Sequence, residues 1–362
     1  MQTRIPCVIM RGGTSRGPYF LASDLPADPV ARDAVLLAAM GSPPPLQVDG
    51  IGGGNTLTSK AAIISLAAGP DADVDYLFAQ VAVERGTVDT RPNCGNMLAG
   101  VGPFAIEAGL VAAGDPETRV RIRNVNTGAL VEALVQTPEG RVTYEGETAI
   151  PGVGGTAAPV QLRFRKVAGA ATGKLFPTGH RAETIQGVPV SLVDCAMPVM
   201  LVSAAALGAD ASAPPAAIER DRALMMRIEA LRLEAGARMG LGDVRDSVVP
   251  KPVLVGPSGT ATLAARYLTP HAVHKALAVT GGIAVAVAAR LPGTVAASCA
   301  RTADGPSVRI AHPSGEMEVV LQLSDDDGVA SAGVVRTARR IFEGSLLVPA
   351  RIWAGHRRPA AA

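Results

Sequence analysis

Alternating and helical spacing of apolar residues along the 362-residue chain predicts a mixed α/β protein. Apolar stretches typical of strands include IPCVIM, AAIISLA and DVDYLFAQVAVE, and glycine-rich or polar segments separate them. The spacing over Pro29–Met40, with Asp28 as N-cap, predicts the first helix. A second, buried helix is predicted over Met97–Ala108, ended by Gly109. RVTYEG at 141–146 is predicted to be a strand.

The pattern resumes after Val188 with a comparable series of elements. VPVSLVDCAMPVMLVSA and PKPVLVGPSG are typical of strands, PAAIERDRALMMRIEALRLEAGARMG of a long helix, and EMEVVLQL and SLLVPARIW of late strands. Because 362 residues exceed one ordinary domain, two domains are expected. We predict an N-terminal half over 1–185 and a C-terminal half over 186–344, and leave open whether 345–356 returns to the first half.

One internal match suggests that the halves are duplicates. NCGNMLAGVGPFAIEAGLV and VTGGIAVAVAARLPGTV both show a small polar loop with glycine, an apolar helix and a glycine stop. In this alignment Cys94 corresponds to Thr280. Short glycine-rich matches also arise by chance, so the neighbouring elements carry much of the argument.

Composition narrows the function classes. The chain is 48% hydrophobic and 18% charged, which is ample for a folded core. Only 3% of residues are aromatic and the net charge is +2, so a nucleic-acid partner is not expected. The N-terminus lacks a secretory signal, and the apolar run Ala276–Ala289 is too short to span a bilayer. We therefore expect a cytoplasmic protein with no membrane partner.

Cysteine and histidine spacing predicts no metal site. The four cysteines are far apart, and the five histidines form no HExxH or similar ligand spacing. Cys7, Cys195 and Cys299 lie within apolar runs, where a structural thiol is the usual case.

Cys94 differs because Asn93, Gly95 and Asn96 surround it immediately before a predicted helix. A thiol there faces unpaired N–H groups, which favour the thiolate. A buried packing cysteine is the alternative. The polar loop favours a functional thiol.

The loop GIGGGNTLTSK, residues 50–60, leads into the predicted strand AAIISLA and matches neither a P-loop nor a Rossmann spacing. Its backbone N–H groups can bind an anion. Lys60, at the edge of an apolar segment, is a candidate base because partial desolvation favours the neutral amine. A strand-end lysine that faces water remains the alternative.

RGGTSRG, residues 11–17, and HPSG, residues 312–315, are two further candidate ligand loops. Arginine binds a carboxylate through two hydrogen bonds, which suits the first loop to an acidic ligand. Each loop is equally compatible with a simple solvated turn.

Together, RGGTSRG, QVDGIGGGNTLTSKAAII and NCGNMLAGVGPFAIEAGLV resemble the PrpF family of the diaminopimelate-epimerase-like superfamily. QTRIPCVIMRGGTSRG and DADVDYLFAQVAVE are more narrowly similar to its 4-oxalomesaconate tautomerase branch. The resemblance implies an α+β fold of two similar halves, each a mostly antiparallel sheet around a central helix. It also implies that the ligand binds in the cleft between the halves.

The resemblance further implies a cofactor-independent proton shift in an unsaturated keto-tricarboxylate of protocatechuate- or gallate-type aromatic degradation. Lys60 and Cys94 match the family's acid/base positions. The family usually has RGGTSKG, so Arg16 replaces a lysine and retains only its positive charge.

Substrate-binding residues are expected in the four loops and at the second helix start: Arg11, Thr14, Ser15, Arg16, Gly53, Gly54, Asn55, Ser59, Asn93, Gly95, Asn96, Thr280, Gly281, His312 and Ser314. The expected partner is a small polycarboxylate, with no metal and no organic cofactor. Whether the chain is a monomer or a homodimer stays open.

Two other functions compete with a 4-oxalomesaconate tautomerase. One is an aconitate or methylaconitate isomerase. The other is a non-catalytic tricarboxylate-binding partner of an aconitase-like dehydratase. Racemisation by two thiols is disfavoured because Thr280 stands where a second cysteine would be needed.

Overall fold

The chain forms two compact units in the computed structural model, which describes residues 1–91, 93–165, 167–245, 247–269, 271–301, 305–323 and 329–355. Unit 1 contains Met1–Leu162 and the described residues from Arg336 onward, and unit 2 contains Arg163–Val335. The units thus divide after 162 and 335, whereas the sequence pattern suggested 185 and 344. Residue 356, the end of the segment considered for a return to the first half, lies outside the described residues.

Unit 1 is built from a mixed sheet and three helices. Its strands are β1 Gln2–Gly12, β2 Ser15–Leu21, β3 Lys60–Leu66, β4 Val74–Val81, β5 Val88–Asp89, β6 Glu117–Asn124, β7 Leu130–Gln136 and β8 Pro159–Arg165, which runs past the unit boundary. Its helices are α1 Pro29–Met40, α2 Gly95–Leu98 and α3 Val101–Glu107.

Unit 2 repeats this plan. Its strands are β9 Glu183–Ile185, β10 Val188–Asp194, β11 Pro198–Ser203, β12 Lys251–Gly256, β13 Leu263–Tyr267, β14 Ser307–His312, β15 Gly315–Leu323 and β16 Val329–Pro349, whose second part belongs to unit 1. Its helices are α4 Pro215–Arg220, α5 Arg222–Arg238, α6 Val279–Arg290 and α7 Val295–Cys299.

The strand pairings of the two units follow one pattern. In unit 1 the series β1-β2-β3-β4-β6-β7 is antiparallel, parallel, antiparallel, parallel and antiparallel. In unit 2 the series β10-β11-β12-β13-β14-β15 has the same alternation. Helices follow the second and fourth strands of each series. The units are therefore similar halves, as the sequence match predicted.

The last strand contributes to both units. Its first residues pair with β15, as in Val334 with Val319. Its later residues pair antiparallel with β1, from Ala338 opposite Gly12 to Pro349 opposite Gln2. The end of the chain thus returns to the first half, over a longer segment than 345–356.

Each unit has a central helix. In α6, all residues from Val279 to Ala289 are buried, and the helix packs against β10, β11, β13, β14 and β15. In unit 1, α2 contacts β1, β2 and β3, and α3 contacts β3, β6 and β7. This is the arrangement of a sheet wrapped around a helix that the resemblance implied.

Three local predictions meet different outcomes. Helix α1 has the predicted bounds, and the Asp28 carboxylate accepts a hydrogen bond from the Ala31 N–H at 2.8 Å.

The single helix predicted over Met97–Ala108 is wrong, since it divides into α2 and α3. Pro103 has no N–H for the carbonyl of residue 99, so a new helix begins after Gly100. The strand predicted over 141–146 is also wrong, because these residues form irregular structure.

Among the described residues, no helix is long and apolar enough to cross a membrane.

Candidate functional site

The RGGTSRG loop is the turn between β1 and β2, and it packs directly on the start of α2. Gly13 has φ of +52°, and a Cβ there would lie 2.2 Å from Asn96 Oδ1, so glycine is needed for both reasons. The Asn96 side-chain amide donates a hydrogen bond to Thr14 Oγ1 at 3.0 Å. The loop and the NCGN segment therefore form one structure.

Arg11 stabilises this loop by hydrogen bonds from its side chain. Its Nη1 donates to the carbonyl of Gly13 at 2.9 Å, and to the carbonyl and hydroxyl of Thr337 at 3.0 Å. Burial, together with the positive charge of Arg339, lowers the pKa of Arg11. These contacts give Arg11 a role in holding the loop, and its contact with substrate stays a prediction.

Within the RGGTSRG loop, the Ser15 hydroxyl and the Arg16 guanidinium are the side-chain groups best able to hydrogen-bond a ligand. The Ser15 hydroxyl is buried and has no hydrogen-bond partner among the described residues. The Arg16 guanidinium lies beside the second loop, because a Cβ on Gly53 would stand 3.2 Å from Arg16 Nη2. The Arg16 N–H also donates to the carbonyl of Leu57 at 2.9 Å.

The second loop, residues 50–59, folds around the buried side chain of Gln47. Gln47 Oε1 accepts hydrogen bonds from the Gly54 N–H at 2.9 Å and from the Ser59 hydroxyl at 2.7 Å. Its Nε2 donates to Ser42 at 2.8 Å. Asn55 closes the turn locally, accepting from the Leu57 N–H and donating to the Gly53 carbonyl. Gln47 thus fixes the loop that leads to Lys60.

Lys60 begins β3 and is 9% exposed. Its Nζ donates to Gln80 Oε1 at 2.6 Å and lies 5.1 Å from the centre of the Phe78 ring. In the β3–β4 pair Lys60 is directly opposite Gln80, and Ala62 is opposite Phe78. Since directly opposite residues share a face of the sheet, Lys60, Phe78 and Gln80 project from the same side.

The start of α2 covers this face. Tyr76 and Tyr19 also project from it, since they are opposite Ile64 and Ala62 in the sheet. The Tyr76 hydroxyl donates to the Cys94 carbonyl at 3.3 Å, and the Tyr19 hydroxyl to the Met97 carbonyl at 2.5 Å. The sheet face that carries the Lys60 amine is therefore the one on which the cysteine loop rests.

Cys94 is the N-cap residue of α2 and is partly exposed, and its side chain makes no capping hydrogen bond. Burial raises the pKa of the Tyr19 and Tyr76 phenols, and the negative charge of a Cys94 thiolate raises both further. Both phenols thus stay neutral. Burial raises the pKa of the Cys7 thiol to about 11 and raises that of the Cys195 thiol even more.

The neighbouring asparagines hold the cysteine loop in place. Asn93 Oδ1 accepts a hydrogen bond from Asn124 Nδ2 at 3.1 Å, and Asn124 is fully buried. Asn124 Oδ1 in turn accepts from the N–H and hydroxyl of Thr127 at 3.0 Å. The amides of Asn93 and Asn96 are therefore both engaged within unit 1.

Gly17 lies where β2 approaches the start of β3 and the helix α2 most closely. A Cβ on Gly17 would lie 1.8 Å from the Lys60 carbonyl oxygen and 3.3 Å from Met97 Cε. The close approach of β2 to β3 and to α2 thus requires a residue without a side chain.

Replacing Gly17 with alanine is expected to disrupt the site. The methyl group would meet backbone at 1.8 Å, so β2 or β3 must shift, at a cost of about 1–3 kcal/mol in the free energy of unfolding. A displacement of about 1 Å at the amine of Lys60, the predicted base, is expected to lower turnover about 10²-fold. Urea unfolding and steady-state kinetics measure the two effects. Gly86→Ala is the matched control, because nothing lies within 4 Å of its Cβ position, and equal behaviour of both variants would contradict this account.

The remaining predicted residues lie in unit 2 and form a second group. Thr280 and Gly281 are in the first turn of α6, and a Cβ on Gly281 would lie 2.2 Å from the Tyr267 ring. The HPSG turn joins β14 to β15, and His312 Nδ1 accepts from the Ser314 N–H at 3.2 Å. The Ser314 hydroxyl donates to the carbonyl of Lys275, which is on the segment before α6.

Sequence reasoning missed four side chains that position the first group: Gln47, Gln80, Tyr19 and Tyr76. Gln47 begins the segment QVDGIGGGNTLTSKAAII, and Tyr76 and Gln80 lie in DADVDYLFAQVAVE, but neither segment indicated a role for these side chains. Gln80 alone leaves a trace, as a polar residue in the apolar strand YLFAQVAV. No group of three or more His, Cys, Asp or Glu residues in the described part of the chain is placed to hold a metal ion.

Comparison with known proteins identifies relatives over almost the whole chain. A family model described as PrpF protein matches residues 2–349. YbhH of Escherichia coli strain K12 is 53% identical over 96% of this chain and 99% of its own length. A 4-oxalomesaconate tautomerase of Pseudomonas putida is 49% identical over 98% of this chain and 99% of its own length.

Solved structures of similar proteins cover the same length of the chain. The crystal structure of a methylitaconate-delta-isomerase superposes with a TM-score of 0.87 at 39% identity, and each chain is covered completely. A hydroxyproline epimerase from Agrobacterium vitis has a TM-score of 0.55 at 14% identity, covering 97% of both chains. At that identity the likeness concerns the fold alone, which is the diaminopimelate-epimerase-like fold.

Proposed function

Since this chain belongs to the PrpF family and is an isomerase, we propose that its substrate is 4-oxalomesaconate or a close analogue. The reaction is a proton shift within an unsaturated keto-tricarboxylate, catalysed without an organic cofactor. The relative from Pseudomonas putida, named for this substrate, supports the choice. In this proposal the enzyme acts in the degradation of aromatic compounds.

One observation carries the proposal: a buried amine projects from the sheet face against which the loop that carries Cys94 packs. Lys60 projects from the face of β3 on which the Cys94 loop rests, and Gly17 brings the two segments together. The nearest partners of the amine are an amide oxygen and an aromatic ring. An amine in this setting can act as a base when it is neutral.

The first step is removal of a carbon-bound proton. The neutral Lys60 amine takes the acidic proton next to the unsaturated keto acid and becomes an ammonium ion. The electron pair of the broken C–H bond enters the conjugated system and gives a dienolate, with its charge on carbonyl and carboxylate oxygens.

The second step returns a proton to another atom of the same molecule. The Cys94 thiol donates its proton to the dienolate and becomes a thiolate. N–H groups in the first turn of α2 stabilise that thiolate. A proton then passes from the Lys60 ammonium to the thiolate, directly or through solvent, so that atoms and charge balance over the cycle.

Three groups in unit 1 are suited to the developing negative charge. The Ser15 hydroxyl is buried without a partner, so a ligand oxygen would satisfy it. The Arg16 guanidinium beside Gly53 suits a carboxylate. The backbone N–H groups of Gly53 and Gly95 are proposed as further donors that need no side-chain movement, whereas the Gly54 N–H already binds Gln47. Thr280, Gly281, His312 and Ser314, which lie in unit 2, stay predicted substrate-binding residues.

A second candidate reaction is the allylic isomerisation of a methyl-substituted unsaturated carboxylate. The structural match to a methylitaconate-delta-isomerase favours it. Both reactions proceed through the same type of carbanion, so the same Lys60 and Cys94 chemistry serves either substrate.

A substrate panel followed by proton NMR tests this proposal. The panel contains 4-oxalomesaconate, cis- and trans-aconitate, 2-methylaconitate and 3-methylitaconate, each with wild-type protein and with Lys60→Met as the blank. We expect the highest kcat/KM for 4-oxalomesaconate, by about 10-fold or more, because a site built for one more polar group rejects analogues that lack it. Preferred turnover of 3-methylitaconate would establish the second candidate, and no turnover of any compound would refute both.

A further inference from the structure

The partner of the Lys60 amine is a neutral amide. Gln80 Oε1 accepts the hydrogen bond from Lys60 Nζ at 2.6 Å, and no carboxylate pairs with this amine in the described part of the chain. The lysine is 9% exposed, so water replaces this contact only in part.

The orientation of the Gln80 amide is fixed from its other end. Its Nε2 donates to the carbonyl of Ser59 at 2.9 Å and to the carbonyl of Thr56 at 3.2 Å. Both carbonyls accept only, so the nitrogen must face them and the oxygen must face Lys60. Because Ser59 directly precedes Lys60, the same amide holds both the backbone and the amine of the strand start.

The described carboxylates around β3 are each bound elsewhere, including Asp89, which is directly opposite Gln80 in the β4–β5 pair and binds Arg91 with both oxygens. The titratable and charged side chains on the elements around β3 are Arg16 and Tyr19 on β2, Asp24 after β2, Asp75 and Tyr76 on β4, Asp89 on β5, Cys94 before α2, and Glu107 on α3. Asp75 binds Arg123, Asp89 binds Arg91 and Glu107 binds Arg340. Asp24 also has a partner. The tyrosines remain neutral because burial raises their pKa. Cys94 is a neutral thiol at the moment when Lys60 takes the proton in the proposed mechanism.

We propose that Gln80 is the positioning residue of the reaction: its amide aims the Lys60 amine while withholding the negative charge that would keep the amine protonated. This inference rests on the proposed role of Lys60 as base. A glutamate would also accept the hydrogen bond from the amine, but it would lose the donors to Ser59 and Thr56 and would stabilise the ammonium ion, which cannot accept a proton.

Two variants separate the charge from the lost hydrogen bonds. Gln80→Glu and Gln80→Met both lose the donors to Ser59 and Thr56, Gln80→Met also loses the acceptor for Lys60, and only Gln80→Glu introduces a charge. The effect of the charge is therefore measured from the pH at which the acid limb lies, and the effect of the lost hydrogen bonds from the height of the profile. An opposite charge at this distance favours the protonated amine by about 1–3 pH units. The acid limb of the pH profile of kcat/KM is therefore expected to move to higher pH by that amount in Gln80→Glu relative to Gln80→Met.

Near neutral pH, Gln80→Glu is then expected to be at least about 10-fold less active than Gln80→Met and to regain activity at alkaline pH. If Gln80 served only in folding, the pH profiles of kcat/KM of the two variants would have the same shape and differ only in height. Superimposable profiles after scaling would overturn the proposal.

A measurement without substrate separates this inference from the proposed function. Competitive labelling with acetic anhydride over a range of pH, with the peptide that contains Lys60 quantified by mass spectrometry, reports the protonation of the amine directly. We expect labelling of Lys60 to require higher pH in Gln80→Glu than in Gln80→Met, even if no compound in the panel is turned over. Identical labelling curves would reject the role of Gln80 and would leave the proposed isomerase function standing.

Discussion

Replacement of Lys60 with methionine is expected to lower kcat/KM by about 10²–10⁴-fold, the usual contribution of one positioned acid or base. Methionine has a similar length and no amine, so it can occupy the space between Phe78 and the strand start without accepting a proton. Steady-state kinetics with the preferred substrate of the panel measures the loss.

The fold is expected to survive this change, because methionine fills a similar space beside Phe78 and only the hydrogen bond to Gln80 is lost. Unchanged far-UV circular dichroism and an unfolding midpoint no lower than that of wild type serve as controls. Lys174→Met is the control variant, since Lys174 is exposed and lies outside the first group of site residues. Wild-type turnover in Lys60→Met would remove the base from the mechanism.

Replacement of Cys94 with serine is the second large effect that we expect, again about 10²–10⁴-fold. A serine hydroxyl fits the N-cap position but is a far weaker acid than a thiol, so it donates a proton to the dienolate slowly. Proton removal by Lys60 does not need the thiol. The variant should therefore still exchange the acidic substrate proton with solvent while forming little product.

Cys299→Ser is the control, because Cys299 is the other partly exposed cysteine and lies at the end of α7 in unit 2. It should retain wild-type turnover. If Cys94→Ser also retained it, the thiol would be a packing group and another acid would have to be found.

The sequence predicted the two chemical groups but not what surrounds them. Lys60 and Cys94 were recognisable because each adjoins a glycine-rich loop, a local feature. Gln80 was not, because it reaches Lys60 only through the register of β3 with β4. Gln47 was missed for the same reason: its partners Gly54 and Ser59 contact it only because the loop folds back.

The fold shows the same division between local and long-range effects. The halves follow from a repeated order of strands and helices, which apolar periodicity reveals. The break between α2 and α3 was predictable in principle from Pro103, whose missing N–H ends one set of helical bonds. The boundary after 162 was not, because β8 and β16 each run past a unit boundary without any change in composition.

The most direct test is turnover in deuterated water, with the product analysed by NMR and with Lys60→Met and Cys94→Ser run in parallel. A base and a separate thiol acid predict one deuterium at the atom that gains the proton in the wild-type product. They also predict deuterium at the donor carbon of unreacted substrate with Cys94→Ser, and neither label with Lys60→Met. Wild-type product that forms without deuterium would show that the migrating proton never reaches an exchangeable group, and would contradict the two-residue mechanism.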